Sequence, residues 1–227
     1  MATSGTTAFN LDFTDIAEEA WERAGRELRS GYDLATARRS MNLLTIEWQN
    51  RGINLWTIDS GQLSLVSGTA RYAMPSDTID LLEQAIRTND GTTATQNDVL
   101  IPRISVSTYA AIPNKLTTGK SSQVYVERLY DAVYVNLWPV PNNSTDIFQY
   151  WRLRRVEDAG NGVENPDMNF RFYPALVAGL AYYISMKVPE LIDRVPMLKQ
   201  EYTEQFQLAA EEDRDKTSAR FVPRIVR

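Results

Sequence analysis

Apolar positions near the N-terminus return at three- and four-residue steps, the period of an amphipathic helix. Phe13, Ile16, Ala17, Ala20, Trp21, Ala24 and Leu28 form one stripe, with Asp12 as the expected N-cap and Leu11 against Ile16 as a hydrophobic staple. Ser30-Gly31 interrupts the pattern. Asp33 is placed to cap a second helix, whose stripe is Leu34, Ala37, Met41, Leu44 and Trp48 and which Gly52 stops. So short a break predicts an antiparallel helix pair.

From about Leu55 the period shortens to two. Residues 62–66 and 69–74, joined by Ser67-Gly68, read as a β-hairpin. Residues 88–97 are polar and rich in turn formers, so they read as a loop tip. The runs 123–128, 132–138 and 146–153 predict an antiparallel meander. Within it Val133, Val135 and Leu137 alternate with Tyr134, Asn136 and Trp138, so both faces carry bulky groups and one is available to a neighbour. Asn142-Asn143-Ser144-Thr145 is a turn, and 156–168 is a polar turn region.

Helical spacing returns over 172–187, with Pro174 in the first turn and small residues (Ala175, Ala178, Gly179, Ala181) that allow close helix packing. Pro189 ends this helix. Pro196 opens a last one, with a stripe of Leu198, Tyr202, Phe206 and Ala209 running through Glu211-Glu212-Asp213 toward Lys216. The segment 217–227 cannot extend it, because Pro223 lacks a donor and biases Val222 toward extended geometry. Phe221, Val222, Ile225 and Val226 are too apolar for an idle tail, and Arg220, Arg224 and Arg227 meet no acidic side chain within the segment. Extended, it reaches roughly 36 Å. Composition alone leaves a strap over the protein's own core and an arm docking on a partner equally open.

The pattern predicts an α+β fold: a helical bundle of two helix pairs, interrupted by an antiparallel β domain and followed by an extended C-terminal arm. The expected divisions are 1–54 for the first helix pair, 55–163 for the β-rich insertion, 164–216 for the second helix pair and 217–227 for the arm.

Composition removes several kinds of chemistry. The 227 residues include no cysteine and no histidine, which excludes disulfides, thiolate nucleophiles, imidazole bases and the usual zinc ligands. The formal charge of −5 argues against sequence-independent nucleic-acid binding by the whole surface. The longest uncharged apolar run, 172–186, contains Pro174 and falls short of the roughly 20 residues a bilayer needs, so no membrane span is expected. Residues 1–10 lack the basic start of a signal peptide. No phosphate loop, dinucleotide fingerprint or calcium loop is present, and no cofactor or metal is expected.

Carboxylates are the only candidate acids and bases. Glu18, Glu19 and Glu22, or Glu211, Glu212 and Asp213, lie on predicted polar helix faces, where acidic residues are simply solvated. Arg152, Arg154 and Arg155 form the densest basic run of the β region, and Glu157 and Asp158 follow at once. An ion pair between subunits or a solvated strand end suits that run better than a phosphate contact. Arg38-Arg39 reads the same way. Trp21 and Trp48 sit on apolar stripes and read as core; Trp138, beside Pro139, is the candidate surface anchor.

Several stretches in order resemble the head-to-tail adaptor of short-tailed bacteriophages, also called the connector or packaged-DNA stabilisation protein. They are Arg71-Tyr72-Ala73-Met74-Pro75-Ser76-Asp77, then Tyr109-Ala110-Ala111-Ile112-Pro113-Asn114-Lys115 with Gly119, then 133–141, 172–181 and 213–223. The resemblance covers most of the chain and is weakest at 88–97. It implies a structural virion protein, not an enzyme, located in the neck between capsid portal and tail and assembled in the host cytoplasm. A ring of about twelve copies, each contact closing by rotation, would bind the portal protein and extend the channel. Genomic double-stranded DNA would pass through non-specifically, and the ring would retain the packaged genome and offer a platform to the tail nozzle protein. The arm, with Arg220, Phe221, Val222, Pro223, Arg224, Ile225, Val226 and Arg227, would dock on the portal or on a neighbouring subunit. Trp138, Arg152, Arg154 and Arg155 are the further interface candidates. The alternatives are a tail-associated cell-wall glycan hydrolase using paired carboxylates, and a scaffold with no viral role.

Overall fold

Two helices form where the first two stripes lie, but their ends are set by chemistry the stripes do not carry. In the computed structural model, which describes residue 5 and residues 9–53 and 55–213, α1 spans Phe13–Ala24 and is capped by Asp12, whose carboxylate accepts from Asp15 N at 2.9 Å. It stops at Gly25 (φ 98°), so Leu28 falls outside it. Helix α2 spans Gly31–Asn50, and its N-cap is Ser30 rather than Asp33. Ser30 Oγ accepts from Asp33 N at 3.3 Å, while Asp33 Oδ2 accepts from Ser30 Oγ and from Arg29 N. Asp33 therefore supports the cap from the third helical position, through Ser30 Oγ and Arg29 N rather than the Ser30 N–H of a regular capping box. Gly52 (φ 84°) ends α2: its N–H reaches Gln49 O and that of Ile53 reaches Trp48 O, a Schellman motif.

Nine strands and a short helix follow. They are β1 (Ile58–Ser64), β2 (Arg71–Ala73), β3 (Thr78–Thr88), β4 (Asn97–Leu100), α3 (Val106–Ala110), β5 (Thr118–Gly119), β6 (Gln123–Arg128), β7 (Val133–Trp138), β8 (Val140–Pro141) and β9 (Ile147–Arg154). Helices α4 (Tyr173–Ser185) and α5 (Val195–Glu212) complete the described residues, with a 3-10 turn over Pro189–Arg194 between them. The fold is α+β, with helices and antiparallel sheets; one two-residue pairing, β5 with β8, is parallel.

The residues divide into two compact units, one running to Leu55 and resuming at Val156, the other spanning Trp56–Arg155. Residues 156–163, expected with the β segment, belong with the helices: Gly162 O accepts from Thr14 N and Oγ1, and Asn42 Oδ1 accepts from Ala159 N. In the helical unit α4 is buried on every side, from Ala175 to Ala181 without a break, as expected of a helix packed against several others. It packs on α1, α2 and α5, whereas α1 and α2 touch each other only lightly, so the expected N-terminal pair is joined mainly through α4.

The β unit departs from the hairpin and meander expected. Strand β1 pairs along its whole length with β9, from Ile58 opposite Leu153 to Ser64 opposite Ile147, and β2 pairs with β7. The two runs around Ser67-Gly68 therefore enter different sheets. Likewise β6 and β7 form an antiparallel pair, but β9 leaves for the four-stranded sheet β1-β9-β3-β4. Strand β3, the longest, is absent from the sequence-based expectation because two register shifts, between Thr78 and Asp80 and between Leu81 and Glu83, break its alternation. Leu81, Ile86, Phe148 and Tyr150 of one sheet share a core with Val124, Val126, Val133, Val135 and Leu137 of the other.

Candidate docking surfaces

The stretch Arg71–Asp77 organises one end of the β unit. Arg71 gives Nε and Nη2 to Glu127 Oε2 at 3.1 and 2.8 Å, and its guanidinium lies 3.7 Å from the centre of the Tyr134 ring. The Tyr72 hydroxyl accepts from Val66 N at 2.9 Å and donates to Val66 O, holding the crossover between sheets. Asp77 receives both Nη atoms of Arg152, one at 3.0 Å, while Thr78 Oγ1 accepts from the same guanidinium at 2.8 Å. That bidentate contact holds the Asp77 carboxyl below its ordinary value and raises Arg152. Asp59 accepts from Arg154 Nε at 3.2 Å, and Arg155 N donates to Asp77 O at 2.7 Å. The arginine run thus pins the end of β9 to the start of β3 within one subunit. The Arg152 and Arg154 side chains are only 12% and 17% exposed, whereas Arg155 is exposed.

The next two stretches come together. Trp138 is half-buried, and its Nε1 donates to Asn114 O at 3.1 Å. Lys115 Nζ donates to Ala110 O and Ile112 O, and Tyr109 stacks on Tyr125 with ring centres 4.9 Å apart. Trp138 is therefore tied to its own subunit through the indole N–H while the rest of the ring stays partly open. Leu116, next in the chain, is 82% exposed.

The outer side of α1 carries a groove of about 620 Å³ with an apolar floor (Leu11, Ile16, Tyr173, Pro174, Val177) and a rim of Asp15, Glu18, Glu19 and Glu22. It continues over the exposed rings of Phe9 and Phe170, which stack at 5.3 Å. Arg23 at its edge pairs with Glu19 at 2.7 Å and Glu201 at 2.9 Å. The acidic triplet proposed for glycan hydrolysis lies here, exposed on the helix surface, with Glu19 held by Arg23. Greasy and acidic, the groove is opposite in charge to 217–227. That arm, with Arg220, Phe221, Val222, Pro223, Arg224, Ile225, Val226 and Arg227, lies outside the described residues.

One polar cluster escapes sequence reasoning. Trp48 Nε1 donates to the Tyr202 hydroxyl at 2.9 Å, and the hydroxyls of Tyr202 and Tyr183 donate to Glu47, which also pairs with Arg51. Burial, helped by Glu47, pushes Tyr183 well up; burial also pushes Tyr202 up to about 12. The cluster locks α2, α4 and α5 together. It joins residues about 150 positions apart, so no local pattern announces it.

The chain belongs to the SU10 adaptor protein family, whose model matches residues 11–227. It is thus a structural adaptor of the bacteriophage head-to-tail class, as the resemblance of its motifs implied. No curated protein matches the chain. Among the described residues no helix is long and apolar enough to cross a membrane, and no group of three or more acidic side chains is placed to hold a metal ion.

Proposed function

We propose that copies of this chain form a ring of about twelve beneath the portal, extend the DNA channel, retain the packaged genome and carry the tail nozzle. The observation that carries this reading is the span of the family match, which takes in both helical segments, the β unit and the 217–227 arm as one architecture. The arm docks on a portal subunit or a neighbouring copy, with Phe221, Val222, Ile225 and Val226 as apolar anchors and the arginines setting register. Where the partner is a neighbouring copy, the acidic groove along α1 offers a complementary surface. Many modest contacts in a closed ring give large avidity without one tight site. The helical unit leads into the arm in sequence, and the β unit, with a core of its own, offers a second surface.

The test is assembly with portal. Purified chain mixed with portal should give rings on the portal face in electron micrographs. Deleting 217–227 should leave a folded subunit that no longer docks. No binding and no ring in the intact chain would refute the adaptor assignment. Unfolding of the truncated chain would make the arm an internal strap.

A further inference from the structure

A second cavity in the helical unit, about 480 Å³, opens where the end of α1, the first turns of α2 and the segment after α4 meet. Three cationic side chains line it: Arg26, Arg39 and Lys187. Lys187 Nζ donates to Ser40 Oγ at 2.7 Å, and Arg39 Nη2 donates to Thr36 Oγ1 at 3.2 Å. Both acceptors are neutral hydroxyls, so they orient the cations without cancelling their charge. The Arg26 guanidinium lies over the Trp21 ring, 5.7 Å from its centre. None of the three forms an ion pair with a carboxylate among the described residues. Burial and the neighbouring Arg39 both lower Lys187, as expected where positive charge is gathered without a counter-ion.

The fourth observation is independent of charge. Trp21 lines the same cavity, is 1% exposed, and its Nε1–H finds no acceptor among the described residues. Buried indole donors are normally satisfied, and an orphan calls for an explanation. Two carboxylates also line the cavity. Asp33 is engaged at the α2 cap, where its Oδ2 accepts from Ser30 Oγ at 3.0 Å and from Arg29 N at 3.3 Å. Glu190 is exposed on the first turn after Pro189. Two planar guanidinium forks, an ammonium and an N–H without an acceptor among the described residues thus outnumber the two carboxylates, neither of which pairs with the three cations.

We propose that this cavity binds a phosphate group, with Arg26, Arg39 and Lys187 as its cationic contacts and the Trp21 Nε1–H as a neutral donor. Arginine forks match phosphate oxygens bidentately, and a tetrahedral phosphate offers enough acceptors for all four groups at once. Tyr32, 75% exposed at the same cavity, places an aromatic face beside the cations. That pairing also suits a phosphate carried on a nucleic-acid backbone. Free phosphate and backbone phosphate present the same chemistry here. The assignment does not depend on the adaptor reading.

The experiment follows the Trp21 indole N–H resonance of the full chain, identified with Trp21→Phe, during titration with inorganic phosphate and separately with a short mixed-sequence DNA duplex at fixed ionic strength. A saturable shift with either probe is expected, weakened at least tenfold in Arg39→Gln and in Lys187→Met and weakened less in Arg39→Lys, which keeps the charge but loses the fork. Saturation at lower concentration by the duplex identifies the backbone as the source; saturation at lower concentration by phosphate identifies the free anion. Arg39 is exposed, so its variants keep the test open if Lys187→Met fails to fold. A Trp21 resonance that moves with neither probe, or a shift unchanged in the folded Arg39→Gln protein, overturns the proposal.

Discussion

Gly179 sits at the crossing of three helices. A Cβ there would lie 2.8 Å from Leu44 Cδ2 and 2.9 Å from Tyr202 Cε2, both on buried side chains that cannot swing away. The glycine weakens α4 by about 1 kcal/mol relative to alanine, and close approach of α2 and α5 compensates. Gly179→Val should therefore destabilise the protein by about 2–3 kcal/mol, through overpacking and a β-branched residue in a helix. For a chain of this size that is a fall of roughly 4–12 °C in Tm, read by thermal denaturation; an unchanged Tm would show that the helices can part at little cost. The sequence marks this site in part: the small residues Ala175, Ala178, Gly179 and Ala181 signal close packing, but not which side chains fill the space. Tyr183 and Tyr202 are harder still. Their spacing suits a buried stripe, and only the fold brings Glu47 to meet their hydroxyls.

At the scale of elements, helices were legible because their signal is local. A stripe recurring every three or four residues identifies a helix whatever it packs on, and α1, α2, α4 and α5 lie where the stripes put them. Strand partners are not local. The two runs flanking Ser67-Gly68 have the alternation and the turn of a hairpin, yet the seven-residue register of β1 with β9 takes the first run away. Asp59 of β1 pairs with Arg154 of β9 at 3.2 Å, and the Asp77–Arg152 contact ties β9 in turn to β3 from a loop no strand pattern covers. Asp77 makes this a pH-dependent tie. Its carboxyl is held below the ordinary 3.8 in the folded protein, so the native state favours the ionised form. The stabilisation is present above about pH 4 and is lost as pH falls through the lower, folded value. The Asp77 side chain is 43% exposed, so solvent screening limits the effect and Asp77→Asn should cost about 1 kcal/mol at pH 7. Chemical denaturation of the two proteins at pH 7 and at pH 3 measures it. The gap should shrink at the lower pH, and a constant gap would mean that Asp77 acts by shape alone.

On the scale of the whole molecule, the chain inserts one folding unit into another. Trp56–Arg155 is continuous, whereas the helical unit is assembled from segments on either side of it. The β unit also has its own core, in which Leu81, Ile86, Phe148 and Tyr150 meet the valines of β6 and β7 with no helical residue needed to close it. Such a unit should fold alone. Expressed as residues 56–155, it should show β-type far-UV circular dichroism and one cooperative thermal transition, with an unfolding enthalpy of about 70 kcal/mol for a fragment of that length. A gradual, non-cooperative melt would show that the β unit depends on the helices for its structure. Independent folding has a consequence for an adaptor. A helical unit and a β unit with a core of its own can each tolerate surface change without unfolding the other. A chain whose two units fold separately can vary the surface of one at a time, and the fragment experiment tests that physical premise directly.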